Sequence, residues 1–251
     1  MTKIILSGCL GRMGKAITEI VENIEGAEIV CGFDLAQGER SYPVYSNYQD
    51  ISVDADVIID FSHPSNFENI LNFAKKNNLP IVVATTGLTA EQKAELKAAA
   101  DTIPVFFSAN MSLGINLLIR LAKMATKVLE KDFDIEIVEK HHNKKLDAPS
   151  GTALAIADAI ADVMNDDAKY VYERQSVRKQ REKSEIGIHA IRGGTIVGDH
   201  DVIYAGPDEV ITLSHSAQSR EVFAQGAVKA AMFMNGKPKG FYCMDDLFGD
   251  L

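Results

Sequence analysis

Residues 3–34 decide the fold: they begin Lys3-Ile-Ile-Leu-Ser-Gly8-Cys-Leu-Gly11-Arg12-Met13-Gly14 and end Ala27-Glu-Ile-Val-Cys-Gly-Phe33-Asp34. A short apolar strand runs into three glycines, and apolar residues then recur at helical spacing as far as Ile24. A second apolar run ends at an acid 20 positions after Gly14. This is the layout of a dinucleotide site, where glycines let the backbone approach pyrophosphate and the acid binds the adenosine ribose.

The glycine motif departs from the standard one. A Gly-x-Gly-x-x-Gly motif ending at Gly14 would need glycine at position 9, where this chain has cysteine. A tight strand-to-helix turn without a ligand is the alternative interpretation. The residues that we expect to contact a dinucleotide lie in the turn and after the second strand: Gly8, Cys9, Leu10, Gly11, Arg12, Met13 and Asp34.

Asp34 also bears on the choice of nicotinamide cofactor. A carboxylate at this position accepts hydrogen bonds from ribose hydroxyls and repels a 2′-phosphate. The residues directly after Asp34 are Leu35, Ala36 and Gln37, and the first arginine that follows them is Arg40. The sequence therefore favours NADH, with NADPH left open.

Strands and helices go on alternating to about residue 112. Apolar strands are predicted at 56–61, 81–85 and 105–107, with helices between them. This order predicts an α/β domain with a Rossmann-like, doubly wound parallel sheet. Because strand ends line the ligand crevice of such a sheet, some polar residues are expected beside the nicotinamide, with ordinary turns as the alternative. These residues are Thr85, Thr86, Ser108, Ala109, Asn110 and Met111.

A second informative stretch links an alternating strand at 133–138 to an amphipathic helix at 152–164. It reads Glu139-Lys140-His141-His142-Asn143-Lys144-Lys145-Leu146-Asp147-Ala148-Pro149-Ser150-Gly151-Thr152. Ser150 is expected to cap the helix, so the Gly151 and Thr152 amides would lie in its first turn, which attracts anions. Lys145 adds a charge, and a histidine can donate a proton near neutral pH.

The stretch therefore predicts anion binding with proton delivery beside it. A basic surface loop with an ordinary helix cap is the alternative. A serine nucleophile is disfavoured because Gly-x-Ser-x-Gly is absent.

The rest of the chain predicts a second, smaller α+β domain. A long amphipathic helix spans 114–130, and alternating runs at 186–191, 195–205 and 209–215 join the strand at 133–138 in a largely antiparallel sheet. A final apolar helix at 221–234 is expected to return to the first domain. We therefore predict a dinucleotide-binding domain of residues 1–112 and 218–251, and a substrate-binding and oligomerisation domain of residues 113–217.

Composition bounds the remaining possibilities. The 251 residues are 46% hydrophobic and carry a net charge of -9, which disfavours a general nucleic-acid or acidic-membrane surface. Three widely spaced cysteines predict buried thiols in a reducing compartment. No segment reaches transmembrane length and no signal peptide is evident, so a cytoplasmic location is expected. No metal site is predicted; the histidines outside the second stretch lack ligand spacing and are expected to be structural or to lie at interfaces: His63, His189, His200 and His215.

Taken together, the chain resembles the dihydrodipicolinate reductase family along essentially its whole length. The resemblance rests on Gly8-x-x-Gly11-Arg12-Met13-Gly14, on Thr85-Thr86-Gly87 and above all on His141-His142-x-x-Lys145-x-Asp147-Ala148-Pro149-Ser150-Gly151-Thr152. Further matching segments are Arg192-Gly193-Gly194, Val197-Gly198-Asp199-His200 and Ser219-Arg220. Departures are Ala84 where the family commonly has glycine, Met111 where it has phenylalanine, and no basic residue directly after Asp34.

The resemblance implies NAD(P)H-dependent reduction of 4-hydroxy-tetrahydrodipicolinate, a cyclic dicarboxylate, in lysine and diaminopimelate biosynthesis. It implies that His141 donates the proton with Lys145 as second catalytic group, and that His142, Ser150, Gly151 and Thr152 bind substrate. It adds Ala84 to the cofactor site and implies a homotetramer. The alternatives are another nicotinamide-dependent imine or amino-acid dehydrogenase, and a non-catalytic NAD(P)H-sensing protein.

Overall fold

A computed structural model describes residues 1–165 and 167–249 of the chain. They form two compact units, one of Met1–Leu113 with the segment that begins at Glu221, the other of Gly114–Arg220. The strands are β1 Thr2–Ser7, β2 Ala27–Phe33, β3 Val44–Tyr45, β4 Val57–Asp60, β5 Ile81–Val83, β6 Pro104–Phe107, β7 Asp134–His141, β8 Lys169–Val171, β9 Glu185–Arg192, β10 Gly198–Ala205, β11 Val210–Ala217 and β12 Gly240–Tyr242. The α-helices are α1 Arg12–Glu22, α2 Phe67–Asn77, α3 Ala90–Ala99, α4 Leu113–Leu129, α5 Gly151–Ala161 and α6 Glu221–Met234.

The first unit is built on a parallel sheet in the order β3-β2-β1-β4-β5-β6-β12. Every neighbouring pair in it is parallel. The order reverses direction between β1 and β4, which is the switch point of a doubly wound sheet. The predicted Rossmann-like, doubly wound parallel sheet is thus confirmed. The two- and three-residue strands β3 and β12 were not predicted, since such short segments carry no periodic signal.

Helices cover both faces of this sheet, which explains why its central strands are apolar throughout. All four residues of β4 are buried. On one face, side chains of α1 and α6 pack in a cluster around Ile17 and Ala227; on the other, α2 and α3 pack around Ile70 and Leu96. A parallel sheet buried on both sides brings the carboxyl ends of its strands to one edge, where ligands bind.

The sheet of the second unit differs from the prediction. Its order is β11-β10-β7-β9-β8. The β10–β11 and β10–β7 pairs are antiparallel, but β7–β9 and β8–β9 are parallel, so the sheet is mixed rather than largely antiparallel. The cause is α5, which follows β7 and returns the chain to the same end of the sheet, so that the next strands run parallel to β7.

One face of this mixed sheet packs against α4 and α5. Along β7 the side chains alternate, and Ile135, Ile137, Glu139 and His141 are buried while the residues between them are half-buried. Ile135 and Ile137 pack with Ile156 of α5 in the core of the unit. Strand periodicity thus carries Glu139 and His141 to the covered face, directly beyond the apolar core.

No helix in the described part of the chain is long and apolar enough to cross a membrane.

Candidate active site

The turn after β1 has the geometry of a phosphate-binding turn. Gly8 has φ of +78°, and a Cβ there would lie 2.5 Å from the Phe61 carbonyl oxygen, so only glycine fits. Gly11 precedes α1 and provides no side-chain cap for the helix. The N-terminus of α1, with its dipole and outward-pointing N–H groups, therefore faces the turn without a side chain closing it.

Asp34 lies beside this turn at the end of β2. Its carboxylate accepts hydrogen bonds from the Leu10 amide at 2.9 Å and from the Ala36 amide at 3.0 Å. A carboxylate has about four acceptor positions, so these two bonds orient Asp34 and leave acceptor capacity for ribose hydroxyls. Arg40 reaches the turn from the other side, where its Nε donates to the Cys9 carbonyl oxygen at 3.0 Å.

The ends of β4 and β5 are tied together by a buried carboxyl group. Thr85 Oγ1 donates to Asp60 Oδ2 at 2.7 Å, and the Ser62 amide donates to Asp60 Oδ1 at 3.2 Å. Burial raises the pKa of Asp60 even though these hydrogen bonds oppose the effect. Ala84 and Thr85 are buried within this network, whereas Thr86 is exposed. Thr86 therefore lies on the surface beyond this network.

The segment after β6 folds back on itself. Ser108 Oγ donates to the Asn110 carbonyl oxygen at 2.9 Å, and Asn110 Oδ1 accepts from the Ser112 amide at 2.8 Å. Met111 is buried and packs in the core with residues of α6. Any contact of Met111 with a cofactor would therefore involve its backbone.

The side chain of Cys9 also lies in the core. It is fully buried, and a Cβ on Gly32 would lie 2.5 Å from its Sγ. Burial raises the pKa of the Cys9 thiol to about 11, so it is protonated at neutral pH. Its place in the predicted site thus rests on its backbone.

These residues fit a nicotinamide dinucleotide. The turn excludes a Cβ where a pyrophosphate needs close approach, the N-terminus of α1 attracts an anion, and Asp34 is held with acceptor capacity beside it.

The second cluster of predicted residues lies at the end of β7. His141 is buried, and its Nδ1 lies 2.6 Å from Glu139 Oε2. Arg192, the register partner of His141 on β9, donates from Nη1 and Nη2 to the two oxygens of Glu139 at 2.8 and 2.7 Å. Burial raises the pKa of Glu139, but the hydrogen bonds from Arg192 and His141 outweigh it and lower the pKa. Glu139 is therefore an ionised carboxylate inside the fold.

The start of α5 joins this cluster. Ser150 caps the helix, as predicted: its Oγ accepts from the Ala153 amide at 3.1 Å. The Ser150 amide donates to Glu139 Oε1 at 3.0 Å. A Cβ placed on Gly151 would meet no atom of the described residues within 4 Å, so the approach to the first turn is open at Gly151. Thr152 follows in the same turn, at the positive end of the helix dipole.

The loop between β7 and α5 holds the remaining predicted groups. Lys145 Nζ forms an ion pair with Asp147 Oδ2 at 2.9 Å, which lowers the pKa of Asp147. An anionic ligand of Lys145 would therefore share or replace Asp147. His142 has its Nδ1 buried without a hydrogen-bond partner among the described residues. A buried polar atom of this kind is costly unless a ligand pairs with it, which fits a substrate-binding role.

His200 extends the cluster onto β10. Its Nε2 lies 3.0 Å from Ser150 Oγ, and its ring packs edge to face with His141 at 5.2 Å between centroids. Burial, with His141 nearby, lowers the pKa of His200 to about 4, so this ring is neutral at neutral pH. His215 is its register partner on β11, and burial lowers the pKa of His215 too.

Sequence reasoning gave no role to several residues that complete this cluster. Glu139 could have been found, because strand alternation puts residues 139 and 141 on one face. Arg192 and His200 carried no such local signal, since their partnership with β7 depends on strand pairing.

Among the described residues, no group of three or more His, Cys, Asp or Glu side chains could hold a metal ion.

Two family models match consecutive parts of the chain. The family model described as the N-terminus of dihydrodipicolinate reductase matches residues 2–111, and the one described as its C-terminus matches residues 114–248. A 4-hydroxy-tetrahydrodipicolinate reductase of Caldanaerobacter subterraneus subsp. tengcongensis is 54% identical, over 98% of this chain and 98% of its own. The enzyme of the same name from Clostridium novyi is 51% identical with the same coverage.

A solved structure shares the fold. Dihydrodipicolinate reductase from Paenisporosarcina sp. TG-14, with dipicolinate bound, matches 97% of this chain and 97% of its own with a TM-score of 0.82 and 24% identity.

Proposed function

The chain belongs to the dihydrodipicolinate reductase family, and we propose how its residues carry out the reaction of that family. It is an NAD(P)H-dependent oxidoreductase that reduces 4-hydroxy-tetrahydrodipicolinate to tetrahydrodipicolinate in lysine and diaminopimelate biosynthesis. The observation that carries the residue assignment is the buried His141–Glu139 hydrogen bond beside the open N-terminus of α5.

The substrate is a cyclic dicarboxylate, and the second unit offers a matching set of donors. Lys145 supplies a charge, the first turn of α5 at Gly151 and Thr152 supplies N–H groups, and His142 supplies an unsatisfied buried nitrogen. Ser150 acts through its cap, which fixes this turn in place. The dipicolinate bound to the Paenisporosarcina enzyme is a ligand of the same dicarboxylate class.

His141 is the proton donor in this proposal. Loss of the C4 hydroxyl group as water would convert 4-hydroxy-tetrahydrodipicolinate into a conjugated imine. The reduced nicotinamide, when bound, would supply a hydride to ring carbon C4 of that imine. The electron pair displaced from the double bond then builds up at C3 as an enamine, and His141 protonates C3. Lys145 balances the negative charge of the substrate throughout. In the first unit the backbone of Gly8 to Met13 and the residues Asp34, Ala84, Thr85, Thr86 and Ser108 to Met111 would hold the cofactor.

NADH is the favoured cofactor in this proposal. Asp34 is fixed by the Leu10 and Ala36 amides and would bind the ribose hydroxyls, while its charge opposes a 2′-phosphate. A hydrogen bond to a charged group contributes about 1.5–3 kcal/mol, so Asp34→Ala should lower kcat/KM for NADH about 10- to 100-fold. The value for NADPH should change less, and an equal loss with both cofactors would contradict the preference.

We also propose a cytoplasmic homotetramer joined through the uncovered face of the mixed sheet. That face combines exposed apolar residues, Ile191 and Val210, with the Lys140–Asp201 ion pair at 2.9 Å. Cys9 and Cys31 are buried free thiols, as suits a reducing compartment. Light scattering should give four times the 27.4 kDa of one chain. A monomeric mass would contradict the assembly.

The reaction is tested by loss of nicotinamide absorbance with enzymatically generated 4-hydroxy-tetrahydrodipicolinate, using NADH and NADPH side by side. His141→Gln should lower kcat by about 10²- to 10⁴-fold with little change in KM, because general acid catalysis contributes that much. Lys145→Ala should raise KM and lower kcat together. Tight cofactor binding without oxidation would favour the sensing protein or another imine substrate instead.

A further inference from the structure

Glu139 is the point at which three separate segments of the second unit meet. Its fully buried carboxylate is bonded to His141 on its own strand, to Arg192 on β9 and to the Ser150 amide at the start of α5. These bonds use about all the acceptor positions of a carboxylate. The side chain thus connects the proton donor to the helix that forms the anion site.

Arg192 makes this buried charge tolerable. Burying a carboxylate away from water costs free energy unless the group is paired with a cation and fully hydrogen-bonded. Arg192 pairs with it through both Nη atoms, the bidentate geometry that is strongest for this ion pair. Arg192 also donates to the Asp147 carbonyl oxygen at 2.7 Å, which ties the loop after β7 to the same pair.

The consequence for His141 is a fixed orientation. An ionised carboxylate only accepts hydrogen bonds, so the short contact requires the hydrogen on Nδ1. Nε2 then points towards Gly198, where a Cβ would lie 3.0 Å from it. Because residue 198 is glycine, space remains beside Nε2, and the ring of His200 packs edge to face with the imidazole.

We propose that Glu139, itself set by Arg192, is a positioning residue: it holds His141 so that Nε2 delivers the proton, and it keeps the N-terminus of α5 at a constant distance from that nitrogen. The inference rests on the proposed role of His141 as the proton donor. It adds that Glu139 and Arg192 act through His141 and α5, and that neither of them contacts the substrate.

The charges around His141 make the proposal testable by pH. Its neighbours are Glu139 on β7, Arg192 on β9 and neutral His200 on β10, with Ser150 at the start of α5. The loop contributes the Lys145–Asp147 ion pair, and β11 contributes His215 behind His200. Glu139 and Arg192 cancel each other, so removing either one leaves a net charge beside the imidazole.

The experiment compares Glu139→Gln, Arg192→Met and the double variant, with kcat and KM measured from pH 5 to pH 9. Glu139→Gln keeps an acceptor for the Ser150 amide, so kcat should fall about 10²-fold with KM within about threefold of wild type. Loss of the negative charge should move the alkaline limb of the kcat profile to lower pH by about one unit.

Arg192→Met should move the same limb to higher pH, because an uncompensated carboxylate favours the protonated imidazole. The double variant should return the limb towards the wild-type position. The proposal would be overturned if the alkaline limb moved equally and in the same direction in both single variants, or if it moved in neither. Should Arg192→Met fail to fold, Arg192→Lys, which keeps the charge and loses the bidentate geometry, should lower kcat without displacing the limb.

Glu136→Gln is the matched control, because Glu136 lies on the same strand and also bonds a histidine and arginines. Provided that its mass by light scattering equals that of the wild type, this variant should leave kcat within about twofold of wild type, as expected for a side chain outside the site. Equal losses of kcat in the Glu136 and Glu139 variants would mean that a weakened sheet is the cause, and would overturn the proposal. Absence of turnover in the wild-type enzyme would instead reject the proposed function itself.

Discussion

Two pairs of glutamate and histidine, each bonded by arginine, lie on the same two strands, β7 and β9. In one, Glu139 bonds His141 at 2.6 Å and is paired with Arg192. In the other, Glu136 bonds His189 at 2.8 Å and is also paired with arginines. The residue types and the distances are alike, but the Glu139 side chain is 0% exposed and that of Glu136 is 22% exposed.

The difference arises from which face of β7 each glutamate occupies. Glu139 is on the face that α5 covers, and its remaining partner is the amide of Ser150. Glu136 is on the other face, where Arg174 and Arg181 come from the charged segment before β9. The first cluster joins functional groups, whereas the second fastens a surface segment to the sheet. The two clusters contain the same residue types, so their different roles come from the burial of Glu139 and from its bond to the Ser150 amide.

The largest expected contrast is in turnover between the two histidines. His141→Gln should lower kcat about 10²- to 10⁴-fold, because it removes the proton donor. His189→Gln should leave kcat within about twofold, because the His189 ring bonds Glu136 on the uncovered face of the sheet. Steady-state assays on both variants measure the contrast. Comparable losses of kcat would remove the distinction between the clusters.

Stability should separate the glutamates by a smaller amount. Glu139→Ala leaves Arg192 largely buried without its partner and should lower the free energy of unfolding by about 3 kcal/mol. Glu136→Ala leaves Arg174 paired with Glu185 and Arg181 paired with Asp134, so it should cost about 1 kcal/mol. Urea unfolding at fixed protein concentration measures both values, since assembly would add a concentration dependence. A larger loss for Glu136→Ala would reverse the comparison.

The features that sequence could predict are those encoded locally. The glycine turn, Asp34 and the strand–helix alternation have fixed spacings, and the Ser150 cap follows from the residues around it. The pair His141 and Lys145 was prominent because the two residues are four positions apart, at the end of β7 and in the loop that follows it. In each case the interacting residues are close along the chain, so that periodicity and turn chemistry suffice.

The features that sequence did not reveal depend on register. Arg192 is 53 positions from Glu139 and His200 is 50 from Ser150, and each reaches its partner only once β9 and β10 pair with β7. The parallel pairing of β7 with β9 was also not evident from the sequence, which is why a largely antiparallel sheet was predicted where the sheet is mixed. A one-residue slip of β9 would have moved Arg192 to the other face.

His200 sharpens the comparison, because the cluster around Glu136 contains no second histidine among the described residues. In the folded protein, burial lowers the pKa of His200 from 6.5 to about 4, so the unfolded chain binds a proton more readily between these values. Its contribution to stability is therefore complete above pH 6.5 and declines as the pH falls towards 4.

Relative to His200→Gln, the wild-type protein should lose about 2 kcal/mol of unfolding free energy between pH 7 and pH 4.5. Glutamine retains a polar group for Ser150 but does not titrate in this range. Urea unfolding at several pH values gives the difference. A parallel decline in both proteins would show that His200 is not the source.

The smallest contrast concerns salt. Arg174 pairs with Glu136 and its side chain is 38% exposed, so Arg174→Gln should cost about 1 kcal/mol at low ionic strength and less in about 0.5 M salt. The loss from Glu139→Gln should hardly change with salt, because buried pairs are screened much less than exposed ones. Unfolding of both variants and the wild-type protein at two salt concentrations tests this. If salt reduced both losses alike, burial would not be what distinguishes the two clusters, and the positioning role of Glu139 would rest on its partners alone.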